Sequence, residues 1–319
     1  MKIKPLKPFN SNILGNIMKK YLREIVPKPL FDLLRKYKYR INRERDFLKN
    51  HGYKLNIKAP KTFSEKLYYR KYYGNFDNMA LFADKYKVRE YVADKVGSEY
   101  LIPLLGVYKR FTSEDWYALP EKFVLKSNHG SGPNHLQIVT DKENEEVSSV
   151  VRKFEEALKE SFGIVKQEPF YAKIDKLIIA EQYLESDALT PNDYKFHCFN
   201  DKMFIQVDSD RYEGHKRSIF DIEWNRMNFR LDSSFPEVGD CSPPQNLGQM
   251  VEIAKKLSED FDYVRVDLYN INGKIYFGEL TQTHGNGTED FKPTSVDREW
   301  GDYWKLDKEN KNLYQTGIK

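Results

Sequence analysis

The chain has 319 residues with 40% hydrophobic and 31% charged side chains, the balance of a soluble globular protein long enough for more than one lobe. Two cysteines, Cys198 and Cys241, supply neither a disulfide framework nor a metal-ligand spacing, which fits a reducing cytoplasm. The net charge of +4 hides an asymmetry, because residues 1–50 carry 14 Lys/Arg against 4 Asp/Glu, or +10, leaving −6 for the remainder. A basic arm of this kind is either a solvated helix pair or a contact surface for an anionic membrane or a lipid-linked substrate. No nucleic-acid motif accompanies it, so no nucleic acid is expected. No apolar run reaches the length of a membrane span, and the short apolar pieces at the N-terminus are broken by Asn, Gly and Lys, unlike a signal peptide.

In chain order, residues 29–50 read as one or two basic amphipathic helices. Thr62-Phe-Ser-Glu65 is a capping-box pattern that opens a helix. Residues 78–96 have one continuous helical pattern, stopped by Gly97. Short strands are expected at 101–105 and 123–126, an amphipathic helix at 147–162, and a buried strand turning polar at 176–184. Residues 194–199 and 203–208 read as an antiparallel pair joined at Asn200-Asp201. Residues 247–261 form a helix with Leu247, Met250, Ala254, Leu257 and Phe261 on one stripe, and the tail after Trp300 is polar and loosely held. Antiparallel strands beside helices, without a βαβ rhythm, indicate an α+β or mixed α/β architecture.

The most informative stretch is 263–287, a β-hairpin around the turn signal Asn272-Gly273. A two-residue loop would send Asp267 and Glu279 to opposite faces. A three-residue loop, Ile271-Asn272-Gly273 with Gly273 left-handed, puts Arg265, Asp267, Glu279 and Thr281 on one face and Val264, Val266, Leu268, Tyr276 and Leu280 on the other. The three-residue loop is therefore preferred. Carboxylates that close need a cation between them, and a pair with few other ligands suits Mg²⁺ completed by phosphate oxygens. Upstream, a strand delivers Lys126 into the loop Ser127-Asn128-His129-Gly130-Ser131-Gly132, where glycines would let backbone N–H groups approach phosphates. The lysine precedes the glycines, so this is no Walker A motif. Glu181 ends an apolar strand whose following main chain could read a purine edge.

These pieces, together with Lys61-Thr-Phe-Ser-Glu-Lys66, the stretch 83–92, Asp193-Tyr-Lys-Phe196 and Gly278-Glu-Leu-Thr281, resemble in order the ATP-grasp superfamily, typified by D-alanine–D-alanine ligases. The resemblance is nearest to its TupA-like branch, named for a teichuronopeptide biosynthesis protein, and covers roughly residues 55–300. It implies an α+β ATP-grasp fold in which two α+β subdomains grip ATP between antiparallel sheets, behind a basic helical extension. The corresponding segments are an arm at 1–50, a helical segment at 51–112, a small subdomain at 113–184, a large subdomain at 185–300 and a tail at 301–319.

The resemblance further implies ATP and Mg²⁺ as cofactors. Lys126 would contact the α-phosphate, Lys85 would be the second phosphate lysine, and Asn128, His129, Gly130, Ser131 and Gly132 would close over the phosphates. Glu181 would accept from the adenine amino group, the main chain of Gln182, Tyr183 and Leu184 would form the hinge, and Asp193 would hold the ribose hydroxyls. Asp267 and Glu279 would hold Mg²⁺ with Thr281, and Arg265 would stabilise the transferring phosphoryl group. Thr281 stands where the ligases usually carry Asn, a better ligand, so one metal is expected rather than two. Lys195, Arg211, Lys216 and Arg217 form a basic group that in this fold faces the γ-phosphate and acceptor, and Lys195, Arg211 and Arg217 are taken as candidate catalytic cations. His129 and His284 either contact substrate or hold their loops.

The implied activity is an ATP-dependent carboxylate–amine ligase of cell-surface polysaccharide assembly, acting through an acyl phosphate in the cytoplasm or at the inner face of the membrane. Its partners would be an anionic, uronic acid-containing glycan, free or lipid-linked, and an amino acid or peptide amine, with the basic arm as a peripheral membrane contact. Two alternatives stand beside it. One is a glycosyltransferase, for which Asp208-Ser-Asp210 is the only cue and no nucleotide-sugar Rossmann pattern exists. The other is a non-catalytic ATP- or glycan-binding protein, against which the full set of Lys126, Arg265, Asp267 and Glu279 argues.

Overall fold

A computed structural model describes residues 42–165, 167–186, 192–209 and 214–315. The chain divides into two compact units, residues 1–55 and residues 56–319. In the first, residues 42–51 form helix α1, whose Phe47 is fully buried against His51 and Tyr53. The remainder of the helical stretch expected from residue 29 lies outside the described residues. Among the described residues no helix is long and apolar enough to cross a membrane.

The second unit opens with α2 (Phe63–Tyr73), and the capping box is formed as expected: Thr62 accepts from the Glu65 N–H while the Glu65 carboxylate takes the Thr62 N–H. The helical pattern at 78–96 is split into α3 (Phe76–Ala83) and α4 (Val88–Val96). Periodicity runs through the break unseen. What stops the helix is Asp84, whose carboxylate accepts from the Tyr86 and Lys87 N–H groups and from the Asn128 amide. Gly97 ends α4 at φ 116°.

A first antiparallel sheet follows, with strand order β1-β4-β2-β3, from β1 (Leu104–Tyr108), β2 (Phe123–Ser127), β3 (Leu136–Val139) and β4 (Ile178–Gln182). One face packs Phe123, Leu125, Ile178 and Ala180 against α5 (Ser113–Ala118) and α6 (Val147–Lys159) through Trp116 and Phe154. The alternate positions, Val124, Lys126, Ile179 and Glu181, face the other way.

The second sheet is also antiparallel, with order β10-β9-β5-β6-β7, from β5 (Asp193–Phe199), β6 (Met203–Ser209), β7 (Lys216–Phe220), β9 (Tyr263–Ile271) and β10 (Lys274–Thr281). A two-stranded ribbon, β8 (Arg230–Leu231) with β11 (Phe291–Lys292), lies apart. Val264, Val266, Leu268, Phe196 and Val207 form the apolar face of the second sheet, against Met250, Ala254 and Leu257 of α7 (Leu247–Ser258).

The opposite face is ionic where it borders the cleft. At its other end it is covered by Phe63 of α2, by Trp300 of α8 (Ser295–Tyr303) and by Trp304 just beyond it. The tail is not loose as expected. Trp304, Leu313 and Tyr314 are buried, and Tyr314 pairs with Gly74. Arg70 explains the anchorage: fully buried, it ion-pairs with Asp262, meets the Tyr314 hydroxyl at 3.2 Å and lies over the Trp304 ring. Arg70→Ala leaves Asp262 buried without its cation, so urea unfolding should register a loss of about 3–5 kcal/mol. A loss under about 1 kcal/mol would mean that the pair does not hold the tail.

Candidate functional site

The hairpin β9–β10 places the four polar residues on one face, as expected, by a different device. The loop is the two-residue turn Asn272-Gly273, both with positive φ (52° and 80°), and it pairs Ile271 with Lys274. That register alone would turn Glu279 into the core. The correction occurs further on, where Gly278 is an extra residue: Phe277 pairs with Leu268 and Glu279 with Asp267. A Cβ at Gly278 would sit 3.1 Å from the Asp267 carbonyl, so the bulge has little room for a side chain. The bulge also changes the core set. Ile275 and Phe277 are buried, while Tyr276 faces the cleft side, opposite Tyr269.

On that face Arg265 occupies the place between the carboxylates. Its Nε and Nη2 donate to Asp267 at 2.7 and 2.8 Å, and Nη2 also reaches Glu279 at 2.7 Å and Thr281 at 3.3 Å. Lys195 adds 2.9 Å to Asp267 and 3.1 Å to Asp193. The ladder continues across the strands through Asp208, which takes Arg217 at 2.7 Å, and Arg217 in turn holds Glu289 at 2.8 Å. Burial works to raise the Glu279 carboxyl, but Arg265, Lys85 and Lys195 together outweigh it and hold it well below the usual range. Asp208 is likewise held low against burial, by His215, Arg217 and Lys195.

Several expected site residues are held by partners within the protein. Lys195 is buried, directly across from Asp267, with its ammonium on Asp193 and Asp267, and it lines neither of the two cavities along the cleft. Arg217 is likewise held by Asp208 and Glu289. Asp193 is buried on β5 in this ladder and does not line the cavity that Gln182, Tyr183 and Leu184 line. Asn128 is fully buried as a strut, donating to Asp84 and to the Asp175 carbonyl at 2.9 Å each and accepting from the Leu177 N–H at 2.8 Å. His129 is turned into the protein, its Nε2 donating to the Ala157 carbonyl at 3.1 Å. His284 is buried between the Tyr263 hydroxyl and Glu289 and holds its loop, although it also borders the cavity. Asp208, the one described carboxylate of the Asp208-Ser-Asp210 cue, accepts from Gln206 and Arg217 on both oxygens, and Asp210 and Arg211 lie outside the described residues.

Two cavities lie along the cleft. One, of about 430 Å³, brings together Lys85, Ser131, Arg265, Glu279 and Thr281. Lys85 bridges the halves of the site: its Nζ donates to the Gly130 carbonyl at 2.8 Å, and Glu279, Lys126 and Glu181 all lie within its electrostatic reach. Gly130 must be glycine, since a Cβ there would fall 2.1 Å from the His135 ring; Ser131 and Gly132 form the exposed loop tip, with Gly132 at φ 87°. The second cavity, of about 580 Å³, is lined by Gln182, Tyr183 and Leu184 together with Ile271 and Tyr276 of the hairpin. Lys126 and Glu181 face each other across the first sheet as a 2.6 Å ion pair, with Arg89 of α4 on the other Glu181 oxygen at 3.5 Å.

Arg89, Glu168, His135 and Glu289 were not among the expected site residues. Arg89 alone stood in a quoted motif, and the others pair only through tertiary contact. Among the described residues no three His, Cys, Asp or Glu side chains are grouped to hold a metal by themselves. Asp267 and Glu279 are direct cross-strand partners on the cleft side of the hairpin, and hard oxygen donors of this kind fit one divalent cation that takes its remaining ligands from phosphate oxygens.

Two antiparallel sheets facing each other across a cleft, one carrying Lys126 and a glycine loop and the other the Arg265–Asp267–Glu279 face, define an ATP-grasp protein. Residues 65–305 match the TupA-like ATPgrasp family, and the chain belongs to it.

Among solved structures, the D-alanine–D-alanine ligase from Helicobacter pylori is 15% identical, covering 70% of this chain and 62% of its own, with a TM-score of 0.38. The ligase of that name from Bacillus anthracis, complexed with ATP, is 15% identical over 66% of this chain and 56% of its own, TM-score 0.37. The ATP-grasp ligase PsnB, complexed with a phosphomimetic variant of a minimal precursor, Mg and ADP, is 12% identical over 70% and 58%, TM-score 0.36. The chain thus spans 56–62% of the length of these three. No curated protein matches.

Burial lowers His129 from 6.5 to about 4, keeping the ring neutral. With its folded value depressed, its contribution is complete above pH 6.5 and is lost as pH falls towards 4, by up to about 3 kcal/mol. Comparing urea unfolding of the wild type and His129→Gln from pH 7 to 4, the stability gap should narrow by about that amount. A gap constant with pH would show that the ring is not held neutral.

Proposed function

We propose that the protein is an ATP-dependent carboxylate–amine ligase that forms an amide through an acyl phosphate, releasing ADP and phosphate. The observation that carries this reading is the shared cavity of Lys85, Ser131, Arg265, Glu279 and Thr281, where the glycine loop of the first sheet meets the charged face of the hairpin. Glu279 and Asp267, with Thr281, would hold Mg²⁺, which when bound supplies charge neutralisation for the nucleotide phosphates. Lys126 and Lys85 bind phosphate from the first-sheet side, and Gln182–Leu184 with Tyr276 frame the base. Arg265 stabilises charge on the transferring phosphoryl group and on the tetrahedral oxygen, fixed in place in advance by Asp267. The loop at 130–132 excludes water that would hydrolyse the acyl phosphate.

The family's namesake pathway and the charge pattern support a role in cell-surface polysaccharide assembly in the cytoplasm, joining a glycan uronic acid to an amino acid or peptide amine. The basic segment 1–50 would serve peripheral contact with a lipid-linked glycan or the membrane surface.

Incubation with ATP, Mg²⁺, uronic acids and an amino-acid panel should give substrate-dependent ADP and a mass gain equal to amide formation. AMP and pyrophosphate would refute the acyl-phosphate route. Arg265→Lys, which keeps the charge but loses the fork to Asp267 and Glu279, should lower kcat by roughly 10²–10³-fold while nucleotide affinity changes little.

A further inference from the structure

The cavity of about 430 Å³ that holds Arg265 and Glu279 is also lined by Gln282 and Tyr171, which the phosphate and metal assignments do not use. Gln282 follows β10 directly and is only 6% exposed, yet its side-chain amide makes no hydrogen bond among the described residues. Tyr171 reaches the cavity from the turn Pro169–Lys173, and its hydroxyl is likewise without a hydrogen-bond partner among them. Its ring is fixed edge-on to Phe162 at 4.9 Å and tilted against Phe170 at 4.5 Å. The third open group belongs to Arg265. Its Nε and Nη2 are bonded to Asp267, Glu279 and Thr281, while Nη1 makes no hydrogen bond among the described residues. Ser131 at the exposed loop tip aside, every other polar side chain lining the cavity makes a hydrogen bond within the protein.

Leaving a nearly buried amide unpaired is costly, and a guest that pairs it recovers that cost. An amide presents a donor and an acceptor side by side, and a phenol can give or take a hydrogen bond, which together complement hydroxyl groups. Burial, reinforced by Glu168 and Glu279, pushes the Tyr171 phenol well above its ordinary value, so it keeps its proton and stays a neutral donor. Of the cations lining the cavity, Lys85 belongs to the phosphate loop, and Arg265 offers its free arm. A guanidinium arm takes a carboxylate oxygen. Phe162, Phe170 and Phe82 supply apolar surface to the same cavity, as in pockets where a few polar atoms fix the orientation of a guest.

We propose that Gln282 and Tyr171 bind the hydroxyl groups of a hydroxylated carboxylic acid whose carboxylate rests on Arg265 Nη1, and that they thereby select the carboxylate substrate. This deepens the ligase reading and rests on it. The chemistry is that of a sugar acid: one ring hydroxyl donates to the Gln282 amide oxygen, and others accept from its Nε2 and from the Tyr171 hydroxyl. An acid of the same shape without hydroxyls leaves the amide and the phenol unpaired. A site built to hydrogen-bond a hydroxyl discriminates strongly against such an analogue.

The test is calorimetric titration of the full chain with D-glucuronate, D-galacturonate, cyclohexanecarboxylate and D-glucose, with and without Mg-ADP. At least one sugar acid should bind about 10-fold or more tightly than cyclohexanecarboxylate, which keeps the ring and the charge, and than glucose, which keeps the hydroxyls. Gln282→Leu and Tyr171→Phe should each weaken that sugar acid by about 3- to 10-fold and leave cyclohexanecarboxylate unchanged. Mg-ADP affinity in both variants should stay within about 2-fold of wild type, which shows the site still folded. Should Gln282→Leu lose Mg-ADP, Tyr171→Phe, which removes a single oxygen, decides. Equal binding of the sugar acids and cyclohexanecarboxylate, no loss in the variants, a loss shared equally by both kinds of acid, or no binding of either sugar acid would each overturn the proposal. Sugar-acid binding as expected, with no ADP formed from ATP on adding any amine, would overturn the ligase reading alone. Failure of the wild type to bind Mg-ADP would overturn the nucleotide reading, while the titrations without nucleotide still decide the acid site.

Discussion

The arrangement depends on Arg265 lying between Asp267 and Glu279. These carboxylates are direct cross-strand partners, and such a pair is destabilising unless a cation intervenes. Arg265 answers both, with a forked contact to Asp267 and one arm to Glu279. Arg265 is itself buried, and a buried guanidinium missing one acceptor would be worse than no ion pair at all. Lys195, Asp208 and Arg217 follow from the same requirement, each satisfying a neighbour on the next strand. The contacts run as one connected network across the strands, with Glu279 at its edge lining the cavity.

The other half of the site is tied to this one through a break in a helix. Residues 78–96 have the pattern of one continuous helix, but Asp84 diverts its carboxylate to the Asn128 amide and to its own following N–H groups. That places Lys85 on the turn, where it donates to the glycine loop and feels Glu279. A helix through this point would carry Lys85 on a regular surface instead. Local propensity is overridden where Lys85 links the glycine loop to the hairpin face.

Much of the architecture was legible in the sequence. The capping box at Thr62, the antiparallel strands and the helical stripe at Met250, Ala254 and Leu257 follow from periodicity alone. The hairpin shows the limit. The shared face of Asp267 and Glu279 was anticipated, but the extra residue was placed in the turn, whereas it lies at Gly278. Parity counts only how many residues are inserted, so it cannot say where; the core contacts of Ile275 and Phe277 decide that. The partners of Asn128, His129 and Lys195 were not legible for a related reason. A polar residue inside a motif carries no mark of whether it faces the ligand or braces the loop, and here the bracing partners, Asp84, Ala157 and Asp267, lie 28 to 72 residues away.

The Lys126–Glu181 pair turns this distinction into an energetic argument. A phosphate that approaches Lys126 competes with Glu181 for the same ammonium, which alone would strand a buried carboxylate at a cost of several kcal/mol. Arg89 removes that penalty, because it already sits on the other Glu181 oxygen and is anchored on the Ile102 carbonyl at 2.9 Å. Lys126 can therefore exchange one anion for another while Glu181 keeps a cation. On the ligase reading, this lets one lysine serve the folded sheet and the nucleotide in turn, and it gives Arg89, which contacts no expected ligand atom, a reason to be fixed where it is.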